Sequence, residues 1–471
     1  MKQIKKNFIY NALYQMLILI LPFITVPYVS RILGTTGVGI YSYTYSIVYY
    51  FMLIGMLGIN NYGNRTIAKS RDNKKLLSQN FLSIYFLQLI MNMIMIIFYL
   101  IYICVINNQY KLISAIQIIY LISNMFDINW FFFGLEKFKL TVTRNTIIKF
   151  ISLILIFIFV KDTNDLWIYV LILSLSTLIS QLLLFPFLAK EVKFEKIKFK
   201  DLKKHIKPCL ILFIPVIAIS LYKVMDKIMI GIFSNMSEVG FYEQAEKIIN
   251  LPLGIITSLG TVMLPRISNL VEKGKDEEIL EYIKISINFM MFLAFPIVFG
   301  LCSISDKFIP LFLGEDFFKS SILIYLLCPT IVFIAFANVI RTQYLIPKEK
   351  DKIYITSVII GAIINLFLNI IFIPNYGSIG ACFGTLGAEF FVMFYQSFAV
   401  RREISIKDYL YNCIPFLVKS IVMFIILVII NLLKISDIIL IILNILIGTI
   451  IYFILNYKFI KKYYIKFKWK E

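Results

Sequence analysis

The residues best placed to do chemistry in this chain are six charges on two adjacent apolar runs. "YKVMDKIMIG" (222–231) puts Lys223, Asp226 and Lys227 at i, i+3 and i+4 inside the apolar stretch 208–233. The spacing recurs in the next run as Glu243, Glu246 and Lys247, so three positive charges stand against three negative ones. Such spacing gathers each set on one helix face. An ionised group in hydrocarbon is expensive unless it pairs or faces water. If the two runs are antiparallel neighbours across a short turn, Lys227 lies near the depth of Glu246, and Asp226 near that of Lys247. One chemistry is then a self-neutralising ionic ladder. Lys223 lies a full turn deeper, with no carboxylate at its level, which points it towards an anion in a cavity.

The elements that must carry these charges are membrane helices. Of 471 residues, 60% are hydrophobic, with a mean hydropathy of +0.85, and a water-soluble chain of this kind would expose large adhesive patches. Fourteen stretches are long and apolar enough to span a bilayer, from 8–32 and 37–62 at the start to 413–433 and 437–457 at the end. The net charge of +20 does not imply nucleic acid. Of 47 Lys and Arg, 36 fall in alternate loops and the termini, and five (Lys111, Lys161, Lys307, Lys319, Lys434) in the intervening loops. The positive-inside rule therefore predicts that both termini are cytoplasmic. Six scattered cysteines without a CxxC pair, and a single histidine, His205, predict no metal, no cofactor and no catalytic centre.

The organisation expected is two six-helix lobes around a central cavity, 1–189 and 208–400, joined by a basic cytoplasmic linker, 190–207. Two further helices and a basic tail follow, 401–471. An internal repeat supports this: Val38-Gly39-Ile40-Tyr41 precedes Val239-Gly240-Phe241-Tyr242 by 201 residues, each opening the second helix of its lobe. Repeated halves about a central site are a common transporter plan. The polar segment 266–284 predicts an interfacial helix. Prolines 22, 27, 215, 252, 296 and 329 lie within spans, either as fixed shape or as bending points.

Five stretches, beginning with "KNFIYNALYQMLILILPFITVPYVSRILGTTGVGIYSYTYSIVYYFMLIGMLGINNYGNRTIAKSRDN", resemble the Wzx-type oligosaccharide flippases. That is the polysaccharide-transporter branch of the multidrug/oligosaccharidyl-lipid/polysaccharide exporter superfamily. The others are "DINWFFFGLEKFKLTVTRNTIIK", "YKVMDKIMIGIFSNMSEVGFYEQAEKI", "TVMLPRISNL" and "NLFLNIIFIPNYGSIGACFGTLGAE". The resemblance implies a multi-pass protein of the bacterial plasma membrane. It would move undecaprenyl-pyrophosphate-linked oligosaccharide from the inner to the outer leaflet for surface-polysaccharide assembly. H⁺ or Na⁺ would be the coupling ion, and a polysaccharide polymerase and assembly proteins possible partners.

In that setting Lys223 is expected to hold the pyrophosphate. Arg31, in "VSRILG", either binds the anionic headgroup at the outer mouth or reaches the surface. Asp127 and Lys149 match in depth, predicting an ion pair at the inner mouth of the first lobe or, alternatively, an Asp127 that takes up the coupling ion. The 201-residue offset maps Glu243 and Glu246 onto Ser42 and Tyr45 in "YSYTYS", which suit sugars or form an interfacial belt. Glu389 and Lys419 are lesser candidates. Competing readings are a cation-coupled multidrug exporter, a lipid-linked peptidoglycan precursor flippase and, among enzymes, a polymerase or ligase. The last lacks the large outer loop it would need.

Overall fold

Helices satisfy their own backbone polar groups, so apolar runs of this length fold as helices in hydrocarbon. The structure, a computed structural model, describes residues 2–105, 109–193 and 198–461, and their side chains except those of residues 2–20, 199, 261 and 262. Parts of the expected linker (194–197) and basic tail (462–471) lie outside the described residues. The described chain is all helix and turn, without strands.

In chain order the α-helices are α1 (Lys2–Met56), α2 (Ile59–Ser70), α3 (Lys74–Val105), α4 (Lys111–Ile116), α5 (Ile118–Met125) and α6 (Asn129–Gly134). Next come α7 (Phe138–Phe159), α8 (Leu166–Leu182), α9 (Phe185–Leu188), α10 (Phe199–Lys223), α11 (Met225–Phe233) and α12 (Met236–Glu272). The last six are α13 (Asp276–Leu313), α14 (Lys319–Ile340), α15 (Asp351–Tyr376), α16 (Ser378–Val400), α17 (Ile406–Ile430) and α18 (Asp437–Leu455). Thirteen segments are long and apolar enough to cross a membrane. The first, Leu21–Ser70, has 50 residues, about 75 Å of helix against a hydrocarbon core of about 30 Å. Gly34 divides it with φ 64° and ψ −176°, a conformation essentially restricted to glycine. Counting two spans there gives the fourteen expected from the sequence.

The chain forms two compact units, Met1–Gly231 and Ile232–Glu471. In the first, Trp130, Phe131 and Phe132 of α6 pack with Ile59 and Ile67 of α2 and Phe81 of α3. Gly63 permits this closeness, since a Cβ there would meet the Trp130 ring at 2.4 Å. The start of α10 joins the same core through Cys209, which is why packing assigns that helix to the first unit. The six-plus-six division at 190–207 is a reading of topology and not of this packing.

In the second unit α15 and α16 are in close contact, with Gly380 against the Phe372 backbone and Gly384 against Asn369. The final pair, α17 and α18, packs on α13: Tyr409 donates to the Leu280 carbonyl at 3.2 Å, and Phe416 and Tyr452 meet Phe292. The interfacial helix expected over 266–284 is not a separate element. Instead α12 runs on to Glu272, Gly274 (φ 66°) makes a tight reversal, and α13 begins at Asp276. Lys275 N–H donates to Leu270 and Gly274 N–H to Val271, the pairing that ends a helix on a left-handed glycine. Ile279 and Ile283 are buried in the unit, which removes the apolar face that would have rested on the membrane.

Gly34→Ala is expected to destabilise the protein by about 1–3 kcal/mol, because no steric neighbour is involved and the cost is conformational. Gly300→Ala, in α13 with open space at its Cβ, is the control and should leave thermal unfolding in detergent unchanged or slightly raised. Equal melting of Gly34→Ala and wild type would contradict the assignment.

Candidate functional site

Two spans of the first unit are interrupted, and each interruption carries charges singled out by the sequence. The span Lys111–Gly134 leaves helical geometry at Phe126–Ile128, around Asp127. A break inside hydrocarbon frees carbonyls that need partners. Gln88 of α3 supplies them: Nε2 donates to the Asn124 and Asp127 carbonyls, both at 2.9 Å, and Oε1 accepts from Trp130 Nε1 at 3.0 Å. Asn124 donates to Asn92 Oδ1 at 2.7 Å and to the Met52 carbonyl at 3.0 Å, while Asn92 donates to the Gly55 carbonyl at 3.1 Å. Gln88 and Asn92 are fully buried.

On the other side of the break, Asp127 Oδ1 accepts from the Asn129 N–H at 3.0 Å and from Asn129 Nδ2 at 2.7 Å. Asn129 then links outward to Gln181 Oε1 at 3.0 Å and accepts from Arg144 Nη2 at 2.9 Å. Arg144 also donates to Asn145 Oδ1 at 2.7 Å, which accepts from Ser180 at 2.9 Å. Asp127 therefore sits at the edge of a buried polar cluster anchored by Arg144. The sequence reading missed Arg144, since it stood in a cytoplasmic loop among charges that set orientation. Nothing in charge or spacing separates it from those. Lys149, the expected partner of Asp127, is exposed on α7, five residues beyond Arg144.

The second interruption is at Val224 (φ −122°, ψ −31°). It corrects the expectation that Lys223, Asp226 and Lys227 share one continuous helix face. Lys223 ends α10, where the helix dipole favours a cation, and Asp226 lies in the first turn of α11, where it favours an anion. Tyr50 of α1 donates to the Ser220 carbonyl at 3.0 Å, one turn before the break. Tyr43 holds α11 by lying on Gly231, where a Cβ would meet its ring at 2.2 Å. Asp226 is buried and Lys227 half-buried, and both make polar or electrostatic contacts. Lys223 is exposed and makes no ion pair or hydrogen bond among the described residues.

The other candidates are placed as follows. Lys247 Nζ pairs with Glu243 Oε1 of the same helix, α12, at 3.0 Å; Glu243 is buried and Glu246 half-buried. Arg31 is exposed three residues before the Gly34 break. Ser42 is buried, its carbonyl accepting from Ser46 at 2.7 Å. Tyr45 stacks on Tyr41 and meets Tyr120 edge-on, so its ring faces are occupied by protein.

Comparison with known proteins places this geometry in context. A family model described as "Polysaccharide biosynthesis protein" matches residues 4–271, more than half of the chain, and the chain belongs to that family. It is 24% identical over 405 residues to the "Putative O-antigen transporter" of Escherichia coli (strain K12), covering 85% of this chain and 97% of that one. Among solved structures it is similar to the lipid II flippase MurJ in an inward closed conformation. There the TM-score is 0.78 at 18% identity, over 97% of this chain and 99% of that one. An inward-facing multidrug resistance MATE family transporter aligns with TM-score 0.64 at 13% identity, over 83% and 94% of the two chains. These structural likenesses establish the fold alone.

Gln88→Leu is expected to destabilise the first unit by about 2–5 kcal/mol, because it strands two carbonyls and an indole N–H at once. Gln88→Glu, which keeps only the acceptor for Trp130, should be intermediate in thermal unfolding. Wild-type stability of Gln88→Leu would mean that the break is not held by this side chain.

Proposed function

We propose that this member of the polysaccharide biosynthesis family is a flippase for undecaprenyl-pyrophosphate-linked oligosaccharide. It carries repeat units from the inner to the outer leaflet of a bacterial plasma membrane, with both termini cytoplasmic. Family membership and the O-antigen transporter's similarity over most of both chains support the substrate class. The observation that carries the mechanism is Lys223, a cation without a protein partner at an interruption of a membrane span. It lies eleven residues before Ser234 at the outer turn, about 16 Å of helix, and hence near the middle of the hydrocarbon. Half-helix ends at that depth are where transporters hold charged substrates.

In this reading a cavity opens alternately to each side. The headgroup enters it while the polyprenyl tail stays in lipid. Lys223 attracts the pyrophosphate as a point charge, and Arg31 receives it at the outer mouth. Asp226, Lys227, Glu243, Glu246 and Lys247 bring the six-charge cluster to zero net charge, so an arriving anion meets no excess of carboxylate. An inside-negative potential favours outward movement of an anion by about 2.3 kcal/mol per charge per 100 mV. Asp127 is the candidate for H⁺ or Na⁺ coupling, with Asn129 and Arg144 setting its environment. The delivered repeat unit would then pass to a polysaccharide polymerase and its assembly partners. The MurJ-like fold favours one second reading, export of a lipid-linked peptidoglycan precursor, which uses the same charge logic.

In proteoliposomes with an oriented lipid-linked oligosaccharide, Lys223→Ala should slow transfer by about 10- to 100-fold, as expected for loss of a charge-assisted contact. Lys223→Glu should abolish it and Lys223→Arg retain most of it. Wild-type rates in both the Ala and Glu variants would overturn the assignment. Asp127→Asn should make transfer insensitive to an imposed H⁺ or Na⁺ gradient; an unchanged gradient response would remove Asp127 from coupling.

A further inference from the structure

We infer that the first unit holds a binding site for the phosphate headgroup of a membrane lipid, in the cavity between α2, the start of α3 and α10. The cavity has a volume of about 480 Å³, within the range of small-molecule sites, and is separate from the interruptions described above. Its polar side is formed by Arg65 and Lys69, one turn apart on α2, with Asn80 of α3. Its apolar side is formed by Leu76, Ile211 and Leu212.

The donors point to an anion. Arg65 and Lys69 are exposed, neither has an ion pair among the described residues, and no Asp or Glu lines the cavity. Thr66 donates to the Tyr62 carbonyl at 2.8 Å and Ser70 to the Thr66 carbonyl at 3.0 Å, so their hydroxyl protons are already used. Asn80 is different. It is 8% exposed, lines the cavity, and its carboxamide makes no hydrogen bond among the described residues. A buried amide without a protein partner calls for a ligand or water. A guanidinium, an ammonium and an amide converging on one space suit a phosphate group.

The apolar wall narrows the class. The charged residues belong to the polar segment after α1, whereas Ile211 and Leu212 open the apolar run of α10 and Ile211 is exposed along it. One cavity thus spans the boundary where a lipid's headgroup meets its hydrocarbon. A free phosphate or nucleotide would leave the apolar half unused, and a basic cavity between membrane helices is a recognised form of headgroup site. Phosphate-bearing lipid has two sources, an anionic phospholipid of the bilayer or a polyprenyl phosphate. The binding argued here does not depend on the flippase reading.

The test is native mass spectrometry of the full-length protein released from micelles doped with phosphatidylglycerol, undecaprenyl phosphate or phosphatidylcholine. Wild type should retain one phosphatidylglycerol or undecaprenyl phosphate. Arg65→Ala/Lys69→Ala should lower retention about tenfold or more, and Asn80→Leu by a smaller factor. Lys74→Ala/Lys75→Ala removes equal charge outside the cavity and should leave retention unchanged. Competition between the two anionic lipids assigns the source: displacement of phosphatidylglycerol by undecaprenyl phosphate identifies the lipid carrier, and resistance to displacement a bilayer lipid. Equal retention by wild type and the Arg65/Lys69 variant, equal loss in the control, or equal retention of phosphatidylcholine would each overturn the site. A thermal melt of each variant separates lost binding from lost folding.

Discussion

A backbone carbonyl freed inside hydrocarbon must be met by a partner within the protein, and this requirement organises the first unit. A continuous helix meets it by default, and an interrupted one does not. The break around Asp127 therefore needs Gln88, which bonds two freed carbonyls and is itself fixed by Trp130. Asn92 and Asn124 tie the flanking turn to α1 near Gly55 and Met52. The core of α2, α3 and α6 is built around this arrangement, because Trp130 is both the indole that orients Gln88 and the ring on which Gly63 rests.

With the breaks held rigid, the helix ends they create become usable. Each end carries a partial charge, positive at an N-terminus and negative at a C-terminus. Asp226 and Lys223 occupy the ends that suit them on either side of Val224. Lys223 is thereby held in the span by the dipole of α10 and not by a carboxylate, which leaves its ammonium available to a substrate anion. Asp127 is constrained in the opposite way, within a network running through Asn129 to a buried arginine. The two breaks thus offer one charge in open space and one in a polar cluster, matching substrate attraction and ion exchange respectively.

Much of the fold was legible in the sequence, and the breaks were not. Apolar length gives fourteen spans, and "RILGTTG" marks the division of the first long helix at Gly34, because only glycine adopts that conformation readily. The prolines misdirect. Pro22 and Pro27 lie inside α1, Pro215 inside α10, Pro252 inside α12, Pro296 inside α13 and Pro329 inside α14, all without ending their helices. The interruptions instead fall at Val224 and Asp127, where no proline or glycine signals them. Their cause is tertiary: side chains from other helices, Gln88 above all, make a non-helical backbone tolerable. Lys223 was legible as an unmatched charge, whereas Arg144 was hidden by a loop assignment that its burial does not respect.

The central claim is that the chain moves a lipid-linked oligosaccharide outward across a membrane. The most direct measurement is to delete the gene in its host and quantify lipid-linked oligosaccharide on each membrane face together with surface polysaccharide. The account predicts accumulation on the cytoplasmic face and loss of surface polymer, both reversed by the wild-type gene. Unchanged lipid-linked pools together with new sensitivity to cationic drugs would contradict it and make the protein a drug exporter.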